Sequence, residues 1–447
     1  MRMHRLLQVF AARVRLALRV PLETETEQRN YRYAVIEGAL ATITVQIVAT
    51  FTPVFAISLG ATNQQVGFIY SFPFLFNIAA LLISAGSTRR RERHLPVGQV
   101  TAVLHRVLIL LLLLAPVLGR FGVWWLLVVY SLASAAMAVS SVFWQAIVSD
   151  MFPPGRRGVV FGTRSMYTGI AGLAGVMVSG RLLDMVAYPH NYVFVFGLAA
   201  LVGFLAAYYY GKLEPPGADE LPLGDGAPAA GTHLRAFFRT EAGRSFLALT
   251  FSVAVFNLGF HMASPLVTIY FVEHLGYSNA MIGLLTATSV LFQVIGGGVW
   301  GVLADRWGLG LVLVATTGLM AFQAGAFWLI PSVFFLIVMQ ALGGFALGGY
   351  NVATLNALFL AGDKRCRPRL ILWYNVLVGI ANFAGPQLGT AALGALSLPA
   401  VFMASGGLRL AGMLAMGRRG WADLAAWREV RRLKRVQGPG KGRPLPG

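Results

Sequence analysis

The octapeptide Gly60-Ala-Thr-Asn-Gln-Gln-Val-Gly67 returns in altered form as Gly276-Tyr-Ser-Asn-Ala-Met-Ile-Gly283. Each copy is followed by Leu-Phe and an amide, Leu75-Phe76-Asn77 and Leu291-Phe292-Gln293, and the offset stays at 216 from the first glycine (276 against 60) to the amide (293 against 77). Between the copies lies a polar stretch of 33 residues, Lys212 to Arg244, and the chain on either side is almost wholly apolar. A duplicated apolar chain folds into two related membrane-embedded bundles, with the substrate path between them.

Apolar segments of about 20 residues, the length that crosses a bilayer, recur throughout. Twelve are recognised, from residues 33–59 to residues 398–416. With 57% hydrophobic and only 12% charged residues, the chain lacks the charge needed to coat a soluble surface. The expected fold is an all-α membrane protein of twelve transmembrane helices in two pseudo-symmetric six-helix bundles. The expected organisation is a basic amphipathic arm (1–32), an N-terminal bundle (33–211), a linker (212–244), a C-terminal bundle (245–417) and a basic tail (418–447). In the arm, arginines at 13, 15 and 19 interrupt any signal-peptide core and fit a helix lying on the inner leaflet. The end of the tail, Gly438 to Gly447, reads as disordered.

The net charge of +19 is not spread evenly. Basic residues gather in the arm, at Arg89-Arg90-Arg91, Arg156-Arg157, Arg235 with Arg239, Lys364-Arg365, and the tail from Arg418. All fall on one alternate side of the expected spans. The opposite loops carry almost nothing basic apart from Arg120 and Arg181. This positive-inside bias places both termini in the cytoplasm of a plasma-membrane protein. The charge therefore orients the chain and meets anionic lipid, and nucleic acid is not an expected partner. The single cysteine, Cys366, excludes intrachain disulfides and cysteine metal clusters.

Gly301-Val-Leu-Ala-Asp305-Arg306-Trp-Gly308, between the second and third spans of the second half, resembles the signature loop of the major facilitator superfamily. With the twelve spans and the halved repeat, the resemblance covers residues 31–417. It implies a transporter working by alternating access, in which Asp305 and Arg306 latch the cytoplasmic ends of the bundles. At the 216 offset these two positions fall on Arg89 and Arg90, so only one of the two symmetric latches is expected. The Asp150 to Gly158 run, with Pro153-Pro154-Gly155 and Arg156-Arg157, is similar to the junction between spans four and five in that family. Gly385-Pro386 in span eleven looks like the Gly-Pro motif of its proton-driven exporters, which belongs in span five. Close helix packing explains such glycines equally well.

The resemblance also implies that spans one, four, seven and ten line a central cavity. Polar stripes fall on those spans: Thr42 and Gln46; Ser134, Ser141 and Gln145; Asn257, His261, Ser264 and Thr268; Asn351 and Thr354. Polar groups inside a membrane mark function by default, so Gln46, Gln145, Asn257, His261 and Asn351 are the candidate substrate residues. Asn77, Gln293, Asn375 and Asn382 fit hydrogen bonds between helices better. Glu37, Arg106, Arg164 and Arg409 are the charges within the spans. The arginines can snorkel to the interface. Glu37 is too short to do so, and Arg164, close in depth, is its expected partner in coupling or gating.

No Gly-x-x-x-x-Gly-Lys-Ser/Thr loop is present, so ATP-driven pumping is not expected, and no hydrolase or metal motif or cofactor site is found. The reading is a monomeric secondary active transporter of a small organic solute, with proton-coupled efflux as one mode. The alternative is a non-transporting scaffold or sensor that keeps the fold. Without a legible central charge, the stripes favour a neutral or aromatic solute over a dianion. His261 is assigned to substrate contact, and Glu37 to gating or proton movement.

Overall fold

A computed structural model describes residues 22, 24–84, 94–152, 154–215, 239–360 and 367–436. The first 21 residues of the arm, Arg89 to Arg91, Arg235, Lys364, Arg365 and the last eleven residues lie outside the described residues, as do the side chains of Arg156 and Arg157. Twelve long helices appear among those described: α1 (Glu25–Ser58), α2 (Asn63–Ser84), α3 (His94–Leu112), α4 (Gly122–Met151), α5 (Pro154–Met185), α6 (His190–Tyr210), α7 (Glu241–Ile269), α8 (Asn279–Trp307), α9 (Leu309–Ala326), α10 (Val333–Leu360), α11 (Arg367–Ala392) and α12 (Leu398–Val436). An even number of passes puts both chain ends on one side, called here the termini side.

Eleven spans are long and apolar enough to cross a bilayer, and α11 is the exception. It carries Asn375, Asn382 and Gln387, packs against α2 and α7, and exposes Trp373, Leu377, Ile380 and Leu388 on its outer face. Large apolar side chains such as Leu110, Phe194, Leu201, Phe251 and Phe334 stand exposed around the outside. An apolar belt of that extent suits lipid, not water.

Two ends of expected elements move. α1 begins at Glu25 instead of residue 33, because Thr24 and Glu27 form a reciprocal capping box there. The 34-residue helix is about 51 Å long, well beyond the ~30 Å of a hydrocarbon core. Glu37 therefore lies roughly three turns from its start, rather than one. At the other end, α12 runs on through the expected tail to Val436.

The duplicated octapeptide has a physical basis. Gly60 and Gly276 take φ of +86° and +59°, in the left-handed region that favours glycine, and so turn the chain from α1 into α2 and from the end of α7 into α8. Gly67 and Gly283, one turn into the new helices, then meet the opposite bundle: Gly67 faces Thr390, and a Cβ on Gly283 would lie 3.0 Å from Val176 O.

Candidate functional site

The two bundles touch along α2 with α11 and α5 with α8. On the side away from the termini, Asp184 of α5 accepts hydrogen bonds from the backbone N–H groups of Asn279 (2.9 Å) and Ala280 (2.8 Å) of α8, and from the Asn279 carboxamide (2.9 Å). Tyr70 and Thr268 share a bond of 2.6 Å, and Gln387 Nε2 donates to Ser71 Oγ at 2.6 Å. Val54 of α1 joins the apolar cluster of Met262, Leu266 and Tyr270. This far side is closed by hydrogen bonds and apolar packing together.

Among the described residues, the termini side is parted. On α5 and α8 a Cβ at Gly162 or Gly301 would meet nothing within 4 Å, whereas deeper in the bilayer Gly169 faces Val294 at 2.9 Å. Gln145 on α4 and Asn351 on α10 are exposed toward the termini-side halves of their helices. The arrangement is a cleft open at one end and sealed at the other.

The expected cavity residues divide. Gln145, donating to Ser141 Oγ at 3.3 Å, and Asn351 lie on exposed helix faces. His261 sits at the contact between bundles, its ring 4.8 Å from that of Phe74 on α2. Gln46 is half-buried, its Cγ packing with Thr42 against Gly172 of α5. Asn257 is buried, donating to Tyr350 Oη on α10 at 2.5 Å and to Val253 O at 2.9 Å. The stripe on α7 is real, but α7 faces α2 only near the far side. At Asn257 the bundles have diverged, and the same helix face turns to α10.

Glu37 and Arg164 form an ion pair, Nη2 to Oε2 at 3.1 Å, with side chains 6% and 19% exposed. Arg164 is further held by Ala34 O at 3.1 Å and lies 3.7 Å over the Trp144 ring. Four contacting groups thus lock α1, α4 and α5 together on the parted side. Asp305 and Arg306 are exposed in the last turn of α8, and neither has an ion-pair partner among the described residues. No group of three or more metal-ligating side chains occurs among the described residues.

The family model of the Major Facilitator Superfamily matches residues 36–260 and 249–423. The chain belongs to that superfamily. Superfamily members with solved structures share the fold across nearly the whole chain. A bacterial homolog of the human lysosomal transporter Spinster, inward-facing and unoccupied, is 14% identical over 91% of this chain and 96% of its own, at a TM-score of 0.61. The human organic anion transporter MFSD10 (TETRAN) is 15% identical over 88% and 100%, at 0.62. A POT family transporter in complex with 5-aminolevulinic acid is 14% identical over 89% and 96%, at 0.66. No curated protein sequence matches the chain. The fold and family are those of multi-pass membrane transporters.

For a major facilitator protein, the sequence reading missed two ties. One is the Asp184 cap on the start of α8. Arg29 pairs with Glu214, while Asn30 Nδ2 donates to Glu214 O at 2.8 Å, binding the start of α1 to the segment after α6. Two arginines also depart from expectation: Arg106 (1% exposed) and Arg409 (4%) do not snorkel. Instead they donate to helix carbonyls inside their bundles, Arg106 to Gly203 O and Ala102 O, and Arg409 to Met320 O and Phe260 O.

Proposed function

We propose that this chain is a secondary active transporter that moves a small organic solute across the plasma membrane by alternating access. Units of residues 33–211 and 245–417 rock against each other about the 212–244 linker, with the arm (1–32) and tail (418–447) on the cytoplasmic face. The observation that carries this is the cleft, parted on the termini side and sealed on the other. The positive-inside charge bias then makes the described state inward-facing. A scaffold or sensor has no use for such a one-sided polar opening. The solute class draws support from the POT relative, which holds 5-aminolevulinic acid.

Gln145, Asn351 and His261 are assigned to the solute path, and Asp305 with Arg306 to the latch that closes the parted side in the opposite state. Proton-coupled efflux is the proposed mode, with Glu37–Arg164 as the gating pair. A carboxylate held by a guanidinium can exchange that partner for a proton when water enters. The test is flux of organic solutes in liposomes under an imposed proton gradient, for wild type, Glu37→Gln and His261→Ala. Gradient-driven flux that Glu37→Gln abolishes supports the assignment. Flux indifferent to the gradient makes the protein a facilitator, and no flux of any solute rejects transport.

A further inference from the structure

Arg106 and Arg409 are buried in mirrored ways. Arg106 on α3 reaches α6 through Gly203 O at 3.0 Å, and Arg409 on α12 reaches α9 through Met320 O at 2.8 Å. Each thus ties the third and sixth helices of its own bundle. Their charge balance differs. Arg106 lies within coulombic reach of Glu37. Arg409 has no carboxylate at ion-pair distance among the described residues. Its Nε–H is buried without a hydrogen-bond partner, while Phe260 O accepts from Nη2 at 3.4 Å and the Phe260 ring lies 5.0 Å from the guanidinium carbon.

Beside it is a cavity of about 220 Å³, bounded by every helix of the C-terminal bundle except α11. Phe327, Phe402 and Val267 form apolar wall, and Ser289, Gln323 and Gln340 share the lining with Arg409 as its polar groups. The Gln340 carboxamide makes no hydrogen bond among the described residues. The matching cavity of the N-terminal bundle, about 250 Å³, is lined by Asn77, His105 and Ser134 and has no cation in its wall.

We infer that the C-terminal cavity binds the carboxylate of a small organic monoanion with an apolar body, through Arg409 and Gln340. A buried guanidinium with no counter-charge is costly, and a carboxylate in the cavity that Arg409 lines supplies that charge. One unpaired cation matches one negative charge. An apolar cavity of ~150 Å³ admits benzene, so this one has room for a ring or short chain bearing the head group. The neutral solute expected from the sequence rested on the uncharged polar stripes, and the buried Arg409 adds a charge that those stripes lack. That the bound anion is also the transported solute rests on the transporter reading; the site itself does not.

The test is binding to the purified full-length protein, by calorimetry and thermal shift, of sodium benzoate against benzamide, its neutral counterpart. Saturable benzoate binding, with benzamide roughly tenfold weaker or more, is expected. Arg409→Gln should cost benzoate roughly tenfold or more, Arg409→Lys less, and Gln340→Leu a few-fold. If Arg409→Gln does not fold, the benzoate and benzamide contrast and Gln340→Leu decide the matter. Absence of saturable benzoate binding, equal binding of the two probes, or a Gln340→Leu or Arg409→Gln protein that binds benzoate like wild type each overturns the site. Benzoate bound but not carried into liposomes rejects it only as cargo. Solute flux without benzoate binding rejects the site and leaves the transporter reading standing.

Discussion

Asp184 Oδ2 lies 2.8 Å from the backbone nitrogen of Ala280, so a carboxylate of one bundle caps a helix of the other. The repeat shows why the cap is needed. In the first copy Thr62 and Gln65 cap α2 reciprocally, Thr62 N donating to Gln65 Oε1 at 2.9 Å and Gln65 N to Thr62 Oγ1 at 3.3 Å. The second copy keeps Ser278 as N-cap, accepting from Met281 N at 3.3 Å, but Met281 has nothing to return. The first N–H groups of α8 are instead satisfied by Asp184, and the helix dipole favours the carboxylate there. The cap exists only while the far side is closed.

Asp184→Asn should therefore shift the molecule away from the inward-facing state. The site is exposed and asparagine keeps one acceptor oxygen, so losing the charge and the second oxygen costs about 1 kcal/mol, or roughly fivefold in population. Labelling of a cysteine placed at Ala287, buried on α8 one turn beyond Gly283 and on the same helix face, should speed up by that factor. Unchanged labelling would reduce Asp184 to a surface residue.

Gly180 tests the same seal by volume. A Cβ there would lie 2.6 Å from Asn279 O, with backbone on the opposing side that cannot step aside. Gly180→Leu should block far-side closure and cut steady-state flux roughly tenfold or more, a cost of at least ~1.4 kcal/mol. Its stability should change far less, because each bundle stays intact. Wild-type flux in this variant would mean that the two helices do not need to meet.

Removing one member of the buried Glu37–Arg164 pair should cost more than removing both. Glu37→Gln leaves a mostly buried guanidinium without its counter-charge and should destabilise by about 3 kcal/mol. Glu37→Gln combined with Arg164→Met should recover much of that. Thermal unfolding of the single and double variants is the measurement, and additive losses would show that the pair is not coupled.

Asn257 and Asn351 should separate cleanly. Asn257→Ala removes a buried bond to Tyr350 and should cost about 1–2 kcal/mol of stability, with flux per folded molecule kept. Asn351→Ala, on an exposed face, should leave stability unchanged and alter KM. The reverse pattern would return Asn257 to the solute path.

Much of the architecture was legible because its causes are local. Apolar length marks the spans, and Gly60 and Gly276 had to be glycine because both turns take positive φ. Span eleven was legible as an apolar segment of about 20 residues, although α11 falls short of the other eleven spans on composition. What stayed hidden depends on pairs of distant helices. Nothing near Asp184 in the chain announces that α8 will come to it. The stripe from Asn257 to Thr268 was found correctly as one helix face, yet the neighbour of that face changes along its length: Thr268 meets Tyr70 of α2 and Asn257 meets Tyr350 of α10. Arg409 could be read from sequence as interfacial, since its depth follows from helix tilt and packing that no local pattern encodes.

Distances between spin labels on both sides of the membrane test alternating access most directly. One pair goes at Gly162 and Gly301, on the parted side, and the other at Arg181 and Glu273, exposed on the far side. The account predicts two populations related reciprocally: a long termini-side distance with a short far-side distance, and the converse, with Asp184→Asn moving weight from the first to the second. One fixed distribution at both pairs, unmoved by Asp184→Asn, would contradict it.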